Sequence, residues 1–158
     1  MNISLRAYRS QEFEKAAKIR QITNLDHLDR WRSRMEKSGT WDDHYLHLAI
    51  DVDGELVGDL QVRHCSQAMP DGVLELGLEL ASEMQGKGIG TEVLKLAAEK
   101  FFAEGAHRIS GSTDQSNKAM IRAFEKAGWK HEGTLRGLFN ENGKFHDYES
   151  YSILNKNI

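Results

Sequence analysis

The 158-residue sequence has one cysteine, one proline and no long apolar run. Because Cys65 has no second cysteine to pair with, an internal disulfide and a cysteine-based metal cluster are excluded, as is usual in a reducing compartment. No stretch approaches the roughly 18 consecutive apolar residues of a membrane span, and the first residues lack the apolar core of a secretion signal. We therefore expect a cytoplasmic protein without a membrane partner.

The sequence also lacks repeats, low-complexity tracts and proline- or serine-rich linkers. With 39% apolar residues, a chain of this length can bury one core and is short for two. We predict a single domain over residues 1–158.

Positive charge is not in excess, since 21 Lys and Arg residues face 24 Asp and Glu residues. A net charge of -3 offers no general attraction to a phosphate backbone, so we expect no nucleic-acid partner. The best local basic segment holds Arg30, Arg32, Arg34 and Lys37. Arginines at every second position spread around a helix, which favours a solvated face, although contact with an acidic partner or a nucleic acid stays open. The seven histidines show no metal-site spacing, and no metal is predicted.

Hydrophobic periodicity predicts an α/β protein of the α+β type, with about seven strands and about four helices. Alternation is clearest in Val73–Leu80, where four leucines share one face. Asp-Gly at 53–54 and Asn-Gly at 142–143 predict hairpin turns. Because hairpin and strand–helix–strand connections both occur, the sheet should be mixed. The helices are predicted near 10–22, with Ser10 as the candidate cap, and near 25–37, 91–105 and 117–128.

Three glycines stand between a predicted strand and a predicted helix in EMQGKGIGTEV, residues 83–93. Gly86, Gly88 and Gly90 would let backbone N–H groups at a helix N-terminus approach an anion, and Lys87 could add a charge. The spacing departs from the G-x-x-x-x-G-K phosphate loop of nucleotide hydrolases and from the G-x-G-x-x-G dinucleotide fingerprint. A flexible turn without a ligand is the alternative, which the strand–helix junction disfavours.

Written as Gln85-x-x-Gly88-x-Gly90, the loop resembles the pyrophosphate-binding signature of the GCN5-related N-acetyltransferase (GNAT) family, which uses acetyl-CoA. The segment LELGLELASEMQGKGIGTEVLKLAAEKFF is similar to that family's fourth strand, loop and third helix. HRISGSTDQSNKAMIRAFEKAGWKHEGTLR is similar to its fifth strand, next helix and sixth strand. The second half is most like the branch of ribosomal-protein and polyamine N-acetyltransferases. This resemblance implies a mostly antiparallel sheet that splays between strands four and five.

The resemblance further implies that acetyl-CoA lies in this gap, with its pantetheine along the strand-four backbone near Leu78 and Leu80. Asn117 would bond the cofactor from the other side, although an isolated Asn at this position is favoured as a helix cap. The N–H groups implied to hold the pyrophosphate are those of Gln85, Gly86, Lys87, Gly88, Ile89, Gly90 and Thr91.

Acetyl transfer to an amine needs a base, a donor to the oxyanion and a proton for the departing thiolate. Glu75 is the first candidate for the base, since it lies opposite the leucines of its strand and matches a Glu common in this branch. Glu79 is the second, and an ion-paired or solvated role is the alternative for Glu75. A free strand-four N–H near Leu78 is predicted to serve the oxyanion.

The general acid is not evident from the sequence. Where family members carry Tyr or Ser, this chain has Phe124 and Met120, which have no proton to give. Water, Tyr148, Tyr151 or His146 would then have to protonate the thiolate.

The acceptor is left open among a protein N-terminus, a polyamine and another small amine. Acidic and aromatic residues fall where the family forms its acceptor pocket, and acidic groups would attract a cationic amine. We therefore predict an acetyl-CoA-dependent N-acetyltransferase that acts by direct attack, with a homodimer compatible with the resemblance. The alternative is a non-catalytic coenzyme-A-binding sensor or partner module. The acceptor-pocket candidates are Trp31, Trp41, Asp42, Asp43 and Tyr45.

Overall fold

The computed structural model describes residues 1–65 and 70–157. Its strands are β1 Ile3–Arg6, β2 Tyr45–Val52, β3 Glu55–His64, β4 Val73–Leu80, β5 Arg108–Asp114, β6 Lys130–Glu141 and β7 Lys144–Leu154. Its α-helices are α1 Phe13–Ile19, α2 Leu25–Glu36, α3 Ile89–Ala103 and α4 Lys118–Lys126. The strands form one sheet in the order β1-β2-β3-β4-β5-β7-β6.

The middle of the sheet opens between β4 and β5. These strands are the parallel pair of the described sheet, and the other neighbours are antiparallel. Their pairing covers only Val73–Glu75 against Arg108–Ser110. Beyond it, β4 continues beside β3 to Leu80, while β5 continues beside β7 to Asp114. The predicted mixed sheet and its splay between strands four and five are therefore confirmed.

One face of the sheet carries the larger apolar core. Alternate residues of β2, β3 and β4 meet the apolar stripe of α3, whose positions 94, 97, 98 and 101 follow helical spacing. Burying each such large side chain contributes roughly 1.5–3 kcal/mol. Its fully buried members include Ile50, Leu60, Val62, Val93, Leu94, Phe101, Ile109 and Phe124.

The opposite face is covered by α1 and α2 and has a smaller core around Trp31 and Met35. It also buries charge, because Asp59 of β3 is 0% exposed. The Tyr8 hydroxyl donates to Asp59 Oδ1, and Arg20 Nη1 lies 3.7 Å from Asp59 Oδ2. Burial and the nearby Asp59 charge raise the pKa of Tyr8, so the phenol stays protonated and remains a donor. Ion pairing of this kind is what makes a buried carboxylate tolerable.

Two local expectations differ from the structure. Ser10 does not cap the first helix; residues 10–12 form a 3-10 turn, and the Glu12 carboxylate accepts the Arg9 N–H at 2.9 Å. Glu12 also pairs with Arg6 at 2.7 Å, so a charged carboxylate replaces the hydroxyl cap. The third helix begins at Ile89 rather than Thr91, since Gly88 with φ +80° supplies its N-cap. No helix in the described part of the chain is long and apolar enough to cross a membrane.

Candidate active site

The glycine loop presents bare main chain at the N-terminus of α3. After Leu80, a 3-10 turn at Ser82–Met84 leads into it, and Gly86 and Gly88 have φ of +73° and +80°. No side chain caps the N-terminus of this 15-residue helix, so the N–H groups of its first turn are free for a ligand. A Cβ added at either glycine would meet no atom within 4 Å. The loop thus offers the positive end of a helix dipole to an open space.

That space is a cleft of about 620 Å³ between the end of β4, the glycine loop and α4. It lies where β4 has no β5 partner, so the backbone of β4 around Leu78 faces it. Its lining is Ile19, Arg20, Gln21, Leu78, Glu79, Leu80, Gln85, Gly86, Gly88, Ile89, Gly90, Thr91, Asn117, Ala119, Met120, Arg122, Ala123, Lys126 and Glu141.

The cleft brings together nearly every residue assigned to the cofactor from the sequence. The exception is Lys87, whose Nζ lies 4.0 Å from Met84 Sδ outside the lining. Asn117 caps α4 through its Oδ1, which accepts the Met120 N–H at 3.2 Å. Because the cap uses only this oxygen, the amide nitrogen of Asn117 can still serve a ligand. The predicted cofactor residues in the lining are Leu78, Leu80, Gln85, Gly86, Gly88, Ile89, Gly90, Thr91 and Asn117.

The two candidate bases lie in different surroundings. Glu75 is outside the cleft, in the part of β4 that still pairs with β5, and Arg63 of β3 donates to its carboxylate. Glu79 lies beyond the splay and lines the cleft beside Arg20. Although part of its side chain is exposed, desolvation raises the pKa of the Glu79 carboxyl. Arg20 opposes this rise and Asp59, its register partner on β3, adds to it.

No predicted proton donor for the thiolate lines the cleft. Phe124 is 1% exposed and stacks on Tyr151 with ring centroids 4.9 Å apart, so it is a core residue. The Tyr151 hydroxyl lies 3.4 Å from Glu125 Oε1, and His146 Nδ1 is 2.7 Å from Asp114 Oδ2. Tyr148 is likewise absent from the lining. Met120 does line it, and within residues 1–65 and 70–157 the lining includes no Tyr, Ser or His.

The acceptor-pocket candidates do not assemble into the cleft. Trp31 is buried in the α1–α2 core, and Trp41 stacks on His64 at 4.8 Å. Asp42 pairs with Lys37 at 3.3 Å, and Asp43 with His44 at 3.5 Å. Tyr45 lies under the guanidinium of Arg34 at 5.6 Å.

Three cationic residues in the lining were not anticipated from the sequence, namely Arg20, Arg122 and Lys126. Arg20 is the residue that ends α1, and Arg122 and Lys126 are four apart on α4, so helical spacing was the signal for the last two. In the described part of the chain, no group of three or more His, Cys, Asp or Glu side chains is arranged to hold a metal ion.

A mixed sheet that opens between two parallel strands, with a glycine loop and helix N-terminus facing the gap, defines an acyltransferase of the acyl-CoA type. Comparison with known proteins supplies the family. The model described as "Acetyltransferase (GNAT) domain" matches residues 3–130, and the chain belongs to this family. The family resemblance predicted from the loop and strand segments is thereby confirmed.

Individual relatives agree with this assignment. YjcK of Bacillus subtilis (strain 168), named a probable N-acetyltransferase, is 28% identical over 132 residues, which are 81% of this chain and 69% of YjcK. The structure of a SpeG chimera, spermidine N-acetyltransferase from Vibrio cholerae and hSSAT, has a TM-score of 0.80 at 20% identity, with 98% and 96% of the chains covered. Mycobacterium smegmatis RimJ in complex with CoA-disulfide has a TM-score of 0.78 at 20% identity, with 99% and 83% covered. At these identities the two solved structures support the fold.

Proposed function

We propose that this acetyltransferase transfers the acetyl group of acetyl-CoA to a primary amine by direct attack of the amine nitrogen on the thioester carbonyl. The observation that carries the proposal is the cleft itself, which joins a free helix N-terminus, unpaired β4 backbone and the Glu79 carboxylate in one space.

The residues present fit the coenzyme. Gly86 and Gly88 leave room where a Cβ would stand, and the uncapped first turn of α3 offers N–H groups suited to a pyrophosphate. Arg122 and Lys126 on the opposite wall add positive charge toward the same cleft. We infer that the loop from Gln85 to Thr91 holds the diphosphate, with the amide of Asn117 as a further donor. The backbone of Leu78 and Leu80 would pair with the pantetheine.

Glu79, rather than Glu75, is our proposed base. A free alkylammonium has a pKa near ~10.4, so the reactive amine must lose a proton within the site. The ionised Glu79 carboxylate attracts the ammonium and can accept this proton directly or through one water. A raised carboxyl pKa brings its basicity closer to that of the amine. Glu75 is less suited, because Arg63 already occupies its carboxylate.

The remaining steps need little from side chains. A β4 N–H near Leu78, left without a β5 partner, is the proposed donor to the oxyanion. With no proton-donating Tyr, Ser or His among the described lining residues, we propose that the coenzyme leaves as a thiolate that solvent protonates.

The test measures thiol release from acetyl-CoA over a panel of primary amines, with coenzyme binding followed separately by titration calorimetry. Saturable binding together with amine-dependent thiol release is the expected result. Absence of both would overturn the proposal.

A non-catalytic coenzyme-binding module is the second candidate, and Met120 in the cleft lining is the observation that favours it. It predicts the same calorimetric binding with no thiol release on any amine. The two functions are therefore separated by turnover alone.

A further inference from the structure

A second cavity, of about 270 Å³, lies between the end of α1 and one face of α2. We call it the basic pocket. None of its described lining residues is acidic, whereas three are arginines. The lining is Arg20, Ile22, His27, Arg30, Trp31 and Arg34.

Helix geometry explains why only some of the α2 arginines reach this pocket. His27, Arg30 and Arg34 stand at i, i+3 and i+7, which places them on one side of α2. Arg32 points elsewhere, with its guanidinium 3.8 Å above the ring of Phe13. The basic segment that appeared evenly spread in the sequence is thus divided, and two of its arginines converge with Arg20.

The positive charge in the basic pocket is not fully compensated. Arg20 is partly neutralised by the buried Asp59, 3.7 Å away. Among the ion pairs within residues 1–65 and 70–157, neither Arg30 nor Arg34 has a carboxylate partner within 4.0 Å. Two guanidiniums facing one cavity without a counter-ion favour an anionic ligand, since Arg donors match carboxylate and phosphate oxygens.

Two buried donor atoms in the pocket lining point the same way. Arg20 Nε and Trp31 Nε1 are both buried, and within the described chain neither has a hydrogen-bond partner. A buried donor without an acceptor costs about 1–3 kcal/mol, which a ligand oxygen within reach would recover. The Arg20 guanidinium lies 4.5 Å from the Trp31 ring centroid, so the two side chains hold each other in place.

The basic pocket adjoins the acetyl-transfer cleft, because Arg20 lines both. We propose that the basic pocket binds a carboxylate or phosphate group of the acceptor, so that the acceptor is an amine that also carries an anionic group. This inference rests on the proposed function for its amine, while the anion site itself does not. The amine would then lie toward Glu79, with Arg20 between the two sites.

The first experiment tests the anion site without any turnover. Inorganic phosphate is titrated into the protein saturated with coenzyme A, so that the glycine loop is occupied, and the indole N–H resonances are followed by NMR. We expect Trp31 to shift while Trp41 and Trp129 serve as internal references. The Arg30→Gln/Arg34→Gln double variant should weaken phosphate binding at least about tenfold. Arg32→Gln, on the same helix but outside the pocket, should bind as the parent does.

The second experiment tests whether the anion belongs to the acceptor. Acetyl transfer is compared for matched amines with and without an anionic group: 4-aminobutyrate against butylamine, and phosphoethanolamine against ethanolamine. We expect kcat/KM to favour one anionic amine by at least about tenfold. The double variant should lose this preference while it keeps its rate on the neutral amine. The pair that shows the preference identifies carboxylate or phosphate as the recognised group.

The possible failures are distinct. No Trp31 shift with phosphate, or equal binding by the double variant, would overturn the anion site. Phosphate binding without any preference for anionic amines would overturn its assignment to the acceptor. Loss of coenzyme binding in the calorimetric test would instead count against the proposed function, and the phosphate titration of the coenzyme-free protein would still decide the pocket.

Discussion

The two walls of the acetyl-transfer cleft are built from different parts of the chain. The wall formed by the glycine loop, α3 and α4 offers mostly main chain, namely free N–H groups at Gly86–Gly90 and a helix cap at Asn117. The wall formed by β4 and the end of α1 offers side chains, Glu79 and Arg20, held against the buried Asp59. We infer that the first wall mainly binds the coenzyme and the second mainly carries the chemistry.

This division has a physical cause. A diphosphate needs several donors that converge at close range, which a helix N-terminus without Cβ atoms provides. Proton transfer needs one group whose pKa is adjusted by its neighbours, and only a side chain in a partly desolvated place provides that. Each wall can therefore be changed separately, and a change on one should leave the function of the other intact.

The largest effect is expected from Glu79→Gln, which removes the proposed base while keeping the size of the side chain. Loss of a general base lowers the rate by about 10²- to 10⁴-fold, so kcat/KM should fall in this range while calorimetry finds coenzyme affinity unchanged. Glu75→Gln is the matched control on the same strand face, where only a partly exposed ion pair of up to about 1 kcal/mol is lost. If Glu75→Gln caused the larger loss of kcat/KM, the base would be Glu75.

The pH profile of kcat/KM should show which groups adjust the base. Because the pKa of Glu79 is raised, its ionised form is lost at a higher pH than for an ordinary glutamate. Below that pKa, kcat/KM should fall about tenfold per pH unit. Arg20 lowers the pKa of Glu79, so Arg20→Gln should move this acidic limb to higher pH. Both proteins are assayed with one amine, so that the titration of the amine cancels in the difference. An unmoved limb would contradict the coupling of Arg20 to Glu79.

The binding wall was easier to predict than the reacting wall. Strict alternation placed β4 at Val73–Leu80, and the glycine spacing located the loop, because both are local patterns of two to five residues. Glu75 and Glu79 share one strand face, and nothing local separates them. Where β5 leaves β4 depends on the pairing of distant strands, and that alone puts Glu79 in the cleft and Glu75 outside it.

The same limit explains the basic pocket. Arg30 and Arg34 share a helix side in any α-helix, but a site forms only because the end of α1 brings Arg20 and Ile22 against it. Ser10 was likewise a reasonable cap by residue type. The charge of Arg6, contributed by β1, instead favours the Glu12 carboxylate at that turn. Interactions between elements distant in sequence decided each of these cases.

Gly90→Ala should separate the binding role of the loop from its role in folding. Gly90 lies in the first turn of α3 without a positive φ, and an added Cβ would be 3.8 Å from Ala123 Cβ, an ordinary contact. Alanine should therefore raise helix stability by up to about 1 kcal/mol, seen as an unchanged or higher Tm. The same methyl group faces the cleft and should weaken coenzyme binding about tenfold, or ~1.4 kcal/mol.

A glycine in the β6–β7 turn is the control for Gly90→Ala. Gly143 has φ +83° and open space around it, so Gly143→Ala should cost about 1–2 kcal/mol of stability without any change in coenzyme affinity. Coenzyme affinity that is the same for Gly90→Ala and the parent would show that the loop is a turn without a ligand.

The smallest effect is expected at Asn117, where capping and coenzyme binding can be separated by two substitutions. Asn117→Ser keeps a capping oxygen and so should keep stability, whereas Asn117→Ala loses the cap at about 0.5–2 kcal/mol. Both remove the amide nitrogen, and a lost hydrogen bond of about 0.5–1.5 kcal/mol should weaken coenzyme binding roughly two- to tenfold in each. Thermal unfolding and calorimetry of the two variants check this. Weaker binding in Asn117→Ala alone would make Asn117 a helix cap only, because affinity would then follow the stability of α4 and not the presence of the amide.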